Sequence, residues 1–206
     1  RQMSERRISC VVVTRERQPI GIFTEHDSVG LMARGERHAE RPIREFMHEP
    51  VLATRLSMDH HRAYQIMAAR GARHLVAVDA QGSLRGLVTE GDLLHSIGLE
   101  QMIQPKTVAD AMTRQVVTLQ EQDSLSAAAR LMAERTLSCI VVAQGHQPVG
   151  MLSERDVVRL FRDSVDPDEV PLHHVMSQPL RTIQAGELLA VAMRLMEQDE
   201  IRRLVV

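Results

Sequence analysis

The chain of 206 residues has no tryptophan, one tyrosine and three phenylalanines, so aromatic residues make up 2% of it. A core without large rings must be aliphatic, and the 12 methionines supply adaptable filling for it. The same scarcity argues against a stacking platform for single-stranded nucleic acid, which needs aromatic faces. No apolar run reaches the roughly 18 to 20 residues of a membrane span, and the opening RQMSERR lacks the apolar stretch of a secretory signal. A net charge of -2 with both signs scattered leaves no basic patch for DNA and no acidic tail. These absences predict a soluble cytoplasmic protein that binds no nucleic acid.

Catalytic signatures are missing too. There is no Gly-rich phosphate loop, no nucleophile with a local base, and no Cys or carboxylate cluster at metal-ligand spacing. The two cysteines, Cys10 and Cys139, stand in matching apolar strands, ISCVVV and LSCIVV, and read as small buried hydrophobes. His60 with His61, and His173 with His174, are expected to point to different sides of a helix and to hold no metal.

What the chain does have is repetition. Cys139 follows Cys10 by 129 residues, and the same interval separates Ser153 from Thr24, Asp156 from Asp27 and Met176 from Met47. A shorter interval of 65 relates Thr89 to Thr24 and Asp92 to Asp27, so four copies of one unit fit the chain. One phrase marks three of them: GIFTEHD at Gly21 to Asp27, GLVTEGD at Gly86 to Asp92, and GMLSERD at Gly150 to Asp156. Each reads as a strand ending in a hydroxyl residue, an acidic turn, and an Asp that opens a helix.

The second copy shows the whole order. Pro50 to Thr54 is extended, and Ser57 or Asp59 caps a helix running to about Arg70. Strands at Leu75 to Val78 and Leu84 to Thr89 follow, and a helix begins at the phrase. The unit is therefore β-α-β-β-α. In the third copy the spacing predicts a strand at Val116 to Leu119 and a helix from Ser124 to Arg135, with Leu125, Ala128, Ala129 and Met132 on one face. Copy one lacks its first strand and most of its first helix, and copy four stops before its phrase. The expectation is an excised fragment or a chain whose ends are absent. The polar stretch Gly98 to Lys106 is the expected boundary between two halves, 1–100 and 101–206.

With these residues in place the chain resembles tandem CBS domains, the cystathionine β-synthase motif, over nearly its whole length. The matching stretches run from MHEPVLATRLSMDHHRAY to VTEGDLLHSI in copy two and from MTRQVVTLQEQDSLSAAARLM to GMLSERDVVRLF in copy three. The resemblance implies an α+β fold in which two motifs associate about a pseudo-twofold axis, here one with two and three with four. Copies one and three share the SC strand, and copies two and four share GARHLVAV and EIRRLVV.

The family binds adenosine-containing ligands between motifs, so the resemblance implies AMP, ADP, ATP or S-adenosylmethionine as ligand, with no cofactor required. A carboxylate can accept from both hydroxyls of a ribose, and a helix N-terminus can meet a phosphate. By that match the ribose candidates are Thr24 with Asp27, Thr89 with Asp92, and Ser153 with Asp156. Adenine is expected along Val116, Val117, Thr118, Ser138 and Cys139 in copy three, and along Val51, Ala53, Arg73 and His74 in copy two. Family members often carry Arg between the acid and the Asp. Arg155 keeps it as a phosphate contact, whereas His26 and Gly91 depart.

A capping role for each Asp is the plain alternative, since a polar side chain at a helix start commonly holds free N–H groups. Three readings of function follow: a regulatory sensor acting on an attached effector domain, an interaction scaffold that dimerises and binds no nucleotide, and, least supported, an enzyme. A homodimer through CBS discs is the expected assembly.

Overall fold

Each copy ends its first helix in the same way. The computed structural model describes residues 2–36, 41–97, 106–163 and 165–206, without the side chains of 94–97. Helices α1 (Gln2–Arg6), α3 (His60–Arg70), α6 (Leu125–Glu134) and α8 (Leu189–Gln198) belong to copies one to four. Beyond them Arg7, Gly71, Thr136 and Glu200 take left-handed φ values of 53°, 59°, 53° and 52°. The N–H of the next residue then reaches back to a methionine carbonyl: Ile8 to Met3, Ala72 to Met67, Leu137 to Met132 and Ile201 to Met196, at 2.8 to 3.1 Å. This is a Schellman closure, which satisfies helix carbonyls that would otherwise lack a partner. The recurring methionine is thus part of the helix stop as well as of the packing.

The strands follow. β1 (Cys10–Arg15) pairs with β2 (Gln18–Thr24), and α2 (Glu25–Ala33) leaves directly from β2. In copy two β3 (Ala53–Arg55) lies parallel to β4 (His74–Val78), which is antiparallel to β5 (Leu84–Thr89); α4 (Glu90–Ile97) follows. Copy three repeats this with β6 (Thr118–Gln120), β7 (Cys139–Gln144), β8 (Gln147–Ser153) and α7 (Glu154–Arg162), after a short α5 (Val108–Ala111). Copy four contributes α8 and a single parallel bridge between Thr182 and Val205.

Some expected boundaries shift. Val116 and Val117 precede β6 rather than forming its first residues, because the parallel ladder to β7 begins at Thr118 opposite Val141. Asp27, Asp92 and Asp156 do not open their helices: each is the third helical residue, and the hydroxyl residue before it ends the strand. Asp59, not Ser57, caps α3 through its side chain, accepting from the N–H groups of His61 and Arg62.

The chain divides into two units. Among the described residues one holds 2–9, 24–36 and 106–206 except 164, and the other holds 10–23 and 41–97. These units differ from the halves expected at residues 1–100 and 101–206, and most of the expected boundary, residues 98–105, lies outside the described residues. The difference has a packing cause. Val29 and Met32 of α2 join a core with Leu125, Ala128, Ala129 and Met132 of α6, and Val157 and Leu160 of α7. In the other unit Ala63, Met67, Leu75 and Leu93 form a smaller core.

The phrase glycine is explained by this packing. A Cβ on Gly21 would collide with the Sδ of Met47, and one on Gly150 with the Sδ of Met176. The backbones beside these contacts also pair, Ile22 with His48 and Met151 with Ser177, through N–H donations of 2.8 and 3.1 Å in both places. Gly86 has no neighbour within 4 Å of a Cβ placed there.

Candidate functional site

Every hydroxyl of the phrase is bonded to its own Asp. Asp156 Oδ2 accepts from Ser153 N at 2.9 Å and from Ser153 Oγ at 2.6 Å. Asp27 Oδ2 accepts from Thr24 N and Oγ1 at 2.7 and 2.8 Å, and Asp92 Oδ2 from Thr89 N and Oγ1 at 2.8 and 2.7 Å. In return the Asp N–H approaches the hydroxyl oxygen at 3.2 to 3.4 Å. Each pair is a capping box, with the hydroxyl residue as cap and the acid at the third helical position.

The same box forms outside the phrase. Thr107 N and Oγ1 donate to Asp110 Oδ2, both at 2.8 Å. The Thr107 backbone N–H, and then its hydroxyl, hold the Asp110 carboxyl below the usual carboxylate range. Box geometry alone therefore marks a helix start, and ligand chemistry needs a cavity beside it.

Such a cavity lies at Ser153. A space of about 240 Å³ is walled by Ser153, Arg155 and Asp156 of copy three and by Ser177, Leu180, Arg181, Arg202 and Arg203 of copy four. Asp156 keeps Oδ1 for this side, where Ser177 Oγ donates at 3.3 Å and Arg159 lies at 3.4 Å. A second cavity of about 960 Å³ is walled by Val116, Val117, Ser138 and Cys139 of copy three, with Ile183, Leu204 and Val205 of copy four. Its walls are mostly apolar.

The sequence-predicted groups of copy three thus face two cavities. Cys139 sits opposite Ser153 in the β7–β8 register, yet Cys139 walls the larger space and Ser153 the smaller. Thr118 is exposed on β6. In the other unit His74 lies opposite Thr89, with Arg73 just before β4; Val51 precedes β3 and Ala53 begins it. The Thr24–Asp27 box starts α2.

Sequence reading missed Ser177, Arg181, Arg202 and Arg203 as cavity residues. The RR of EIRRLVV stands where copy two has Arg73 and His74, and that equivalence was the available signal. It also missed two buried acids. The Glu25 and Glu154 side chains are 5% and 2% exposed. They pair crosswise between α2 and α7: Arg155 Nε donates to Glu25 Oε1 at 3.3 Å, and His26 Nδ1 meets Glu154 Oε1 at 2.9 Å. Arg202 Nη2 also donates to Glu25, at 3.2 Å, and Arg203 Nη2 to the Ser138 carbonyl at 3.1 Å.

Outside these cavities the histidine pairs depart from expectation. The rings of His60 and His61 lie 4.3 Å apart at the start of α3, and both Nδ1 atoms sit 3.7 Å from Asp59 oxygens. Among the described residues Asp59, His60 and His61 are the group whose ligand atoms lie close enough to share an ion. The rings of His173 and His174 lie 4.2 Å apart in a single 3₁₀ turn, not on an α-helix. Cys10 is a buried free thiol and Cys139 a half-buried one. Among the described residues no helix is long and apolar enough to cross a membrane.

Comparison with known proteins agrees with this architecture. A family model described as "CBS domain" matches residues 43–99 and 108–163, together more than half of the chain. An uncharacterized protein of Methanocaldococcus jannaschii is 27% identical over 150 residues, 66% of this chain but 36% of its own length. The CBS domain-containing protein YhcV of Bacillus subtilis is 32% identical over 100 residues, covering 48% of this chain and 71% of its own. The fold is that of a crystal structure from Methanocaldococcus jannaschii described as a proposed archaeal homolog of g-AMPK, with a TM-score of 0.82 at 20% identity, covering 98% of this chain and 82% of that one. By its repeated β-α-β-β-α units and the two matched segments, this chain belongs to the CBS domain family.

Proposed function

We propose that the chain is a regulatory module that binds an adenosine-containing ligand between copies three and four and biases an attached effector domain. One observation carries the reading. Asp156, whose Oδ1 is not taken by Ser153, lines the same small cavity as Arg155, Arg202 and Arg203, which places a hydroxyl acceptor beside cations that suit phosphate. Ribose hydroxyls would meet Asp156, with Ser153 orienting it. The aliphatic cavity at Val116, Val117 and Cys139 is the second candidate site, for an adenine served by residues of copy four. Thr24 with Asp27 and Thr89 with Asp92 are further ribose candidates by the same hydroxyl–acid geometry. The module has no catalytic role in this reading, and assembly as a homodimer through CBS discs is part of the proposal.

Titration calorimetry with adenosine, AMP, ADP, ATP and S-adenosylmethionine tests it. Saturable heat in the parent that disappears in Asp156→Ala is the expected result. A ligand that binds only the folded state also raises the melting temperature. Absence of both effects for all five ligands sinks the proposal and leaves the scaffold reading. That second reading draws on the Thr107–Asp110 box, which shows the hydroxyl–acid geometry serving as a cap.

A further inference from the structure

The Glu25 carboxylate is 5% exposed and accepts from both Arg155 and Arg202, whose side chains are 43% and 46% exposed. These two guanidiniums also wall the cavity that holds Asp156. Each therefore has a buried face on Glu25 and an open face toward the space. Building on the reading that this cavity takes an adenosine-containing ligand, we propose that Glu25 is its resident counter-anion, exchanged for the ligand's phosphate on Arg155 and Arg202.

The physical argument is one of competition. A carboxylate withdrawn from water needs its cationic partners, and removing them leaves an uncompensated buried charge. A terminal phosphate carries more charge and one more acceptor oxygen than a carboxylate and is met bidentately by guanidinium, so it is the class of anion able to take the partners over. A ligand without phosphate has nothing to offer Arg155 or Arg202 and leaves Glu25 paired. Glu25 thereby sets how strongly the cavity favours phosphorylated over unphosphorylated nucleosides. The equivalent acid Glu154 meets His26 Nδ1 at 2.9 Å.

The consequence reaches beyond the cavity. Glu25 is the first residue of α2, and its N–H donates to Ser9 O at 2.9 Å. Further along, Val29 and Met32 enter the core shared with α6 and α7. Exchange at Glu25 thus acts on a helix whose apolar face is part of the unit's packing, which suits a ligand signal.

The test is calorimetry with adenosine, AMP and pyrophosphate on the parent chain, Glu25→Gln and Arg202→Gln, each first shown to melt cooperatively. Glu25→Gln removes the competing charge and keeps an acceptor, so AMP and pyrophosphate should bind about fivefold or more tightly while adenosine is unchanged. Arg202→Gln should weaken AMP and pyrophosphate but not adenosine, and it decides the matter alone if Glu25→Gln does not fold. Tighter pyrophosphate with no adenosine binding to any of the proteins supports the exchange and brings down the nucleoside reading instead. Adenosine binding with an AMP preference that neither variant alters overturns the exchange and leaves the nucleoside reading standing. No binding of AMP or pyrophosphate to any of the proteins overturns both.

Discussion

Asp156 divides its carboxylate between two tasks: Oδ2 holds Ser153 at 2.6 Å, while Oδ1 lies on the cavity side with Ser177 at 3.3 Å. The two residues can therefore be separated by mutation. Ser153→Ala removes the hydroxyl that accepts from the Asp156 N–H and should cost about 1 kcal/mol of stability, the usual range for a lost cap. It should weaken adenosine binding only modestly, because Asp156 keeps the Ser153 backbone N–H. Asp156→Ala loses the acid half of the cap and Oδ1 together, so binding should disappear while the melting temperature falls by a comparable step. Thermal melts beside calorimetry give both readings. Equal melting shifts with unchanged binding in both variants would reduce the pair to a cap.

The phrase glycines make a sharper packing test. Gly150→Ala places a methyl group against Met176, where even the Cγ lies 2.7 Å from the ideal Cβ position. Overpacking of this kind costs about 1 to 3 kcal/mol. Gly86→Ala meets open space and should be neutral or slightly stabilising. Met176→Ala combined with Gly150→Ala should recover part of the loss, a coupling that a double-mutant cycle in urea would measure.

Thr136 is a β-branched residue at a left-handed position, φ 53°, in the helix stop after α6. Its N–H donates to Ala133 O at 3.4 Å, and the following N–H reaches Met132 O at 2.8 Å. Glycine fills the equivalent place after α3 without a Cβ penalty. Thr136→Gly should therefore raise the urea midpoint, by about 1 kcal/mol in stability terms. Loss of stability would mean that the Thr136 side chain, on the wall of the larger cavity, contributes more than its backbone strain costs.

How much of this was written in the sequence depends on distance along the chain. The helix that begins at the phrase and the buried face of α6 follow from local patterning, and the structure reproduces them. The Gly–Met contacts were within reach, since Gly21 precedes Met47 by the same interval as Gly150 precedes Met176. The crossed acids were not. Glu25 and Arg155 are separated by 130 positions, and a Glu at a helix start ordinarily faces water. The division of copy three's residues between two cavities was equally hidden, because Cys139 and Ser153 are cross-strand neighbours and segments distant in the chain wall the space beside each one.

A last expectation concerns acid. The Asp110 carboxyl is held below its ordinary value of 3.8, chiefly by the Thr107 N–H and then by the Thr107 hydroxyl. A group whose folded value is depressed binds its proton more readily in the unfolded chain. Its stabilisation is therefore complete above about pH 4 and is lost as pH falls through the lower folded value. Asp110→Asn removes this contribution while keeping a similar shape at the start of α5. The urea midpoint of the variant should lie below the parent's at pH 6, and the gap should narrow steadily from about pH 4 toward pH 3. Because the group is exposed, added salt should shrink the Lys106 and Arg114 share of the effect and leave the Thr107 share in place. A gap that stays constant from pH 6 to pH 3 would assign the loss to helix packing rather than to the charge on Asp110.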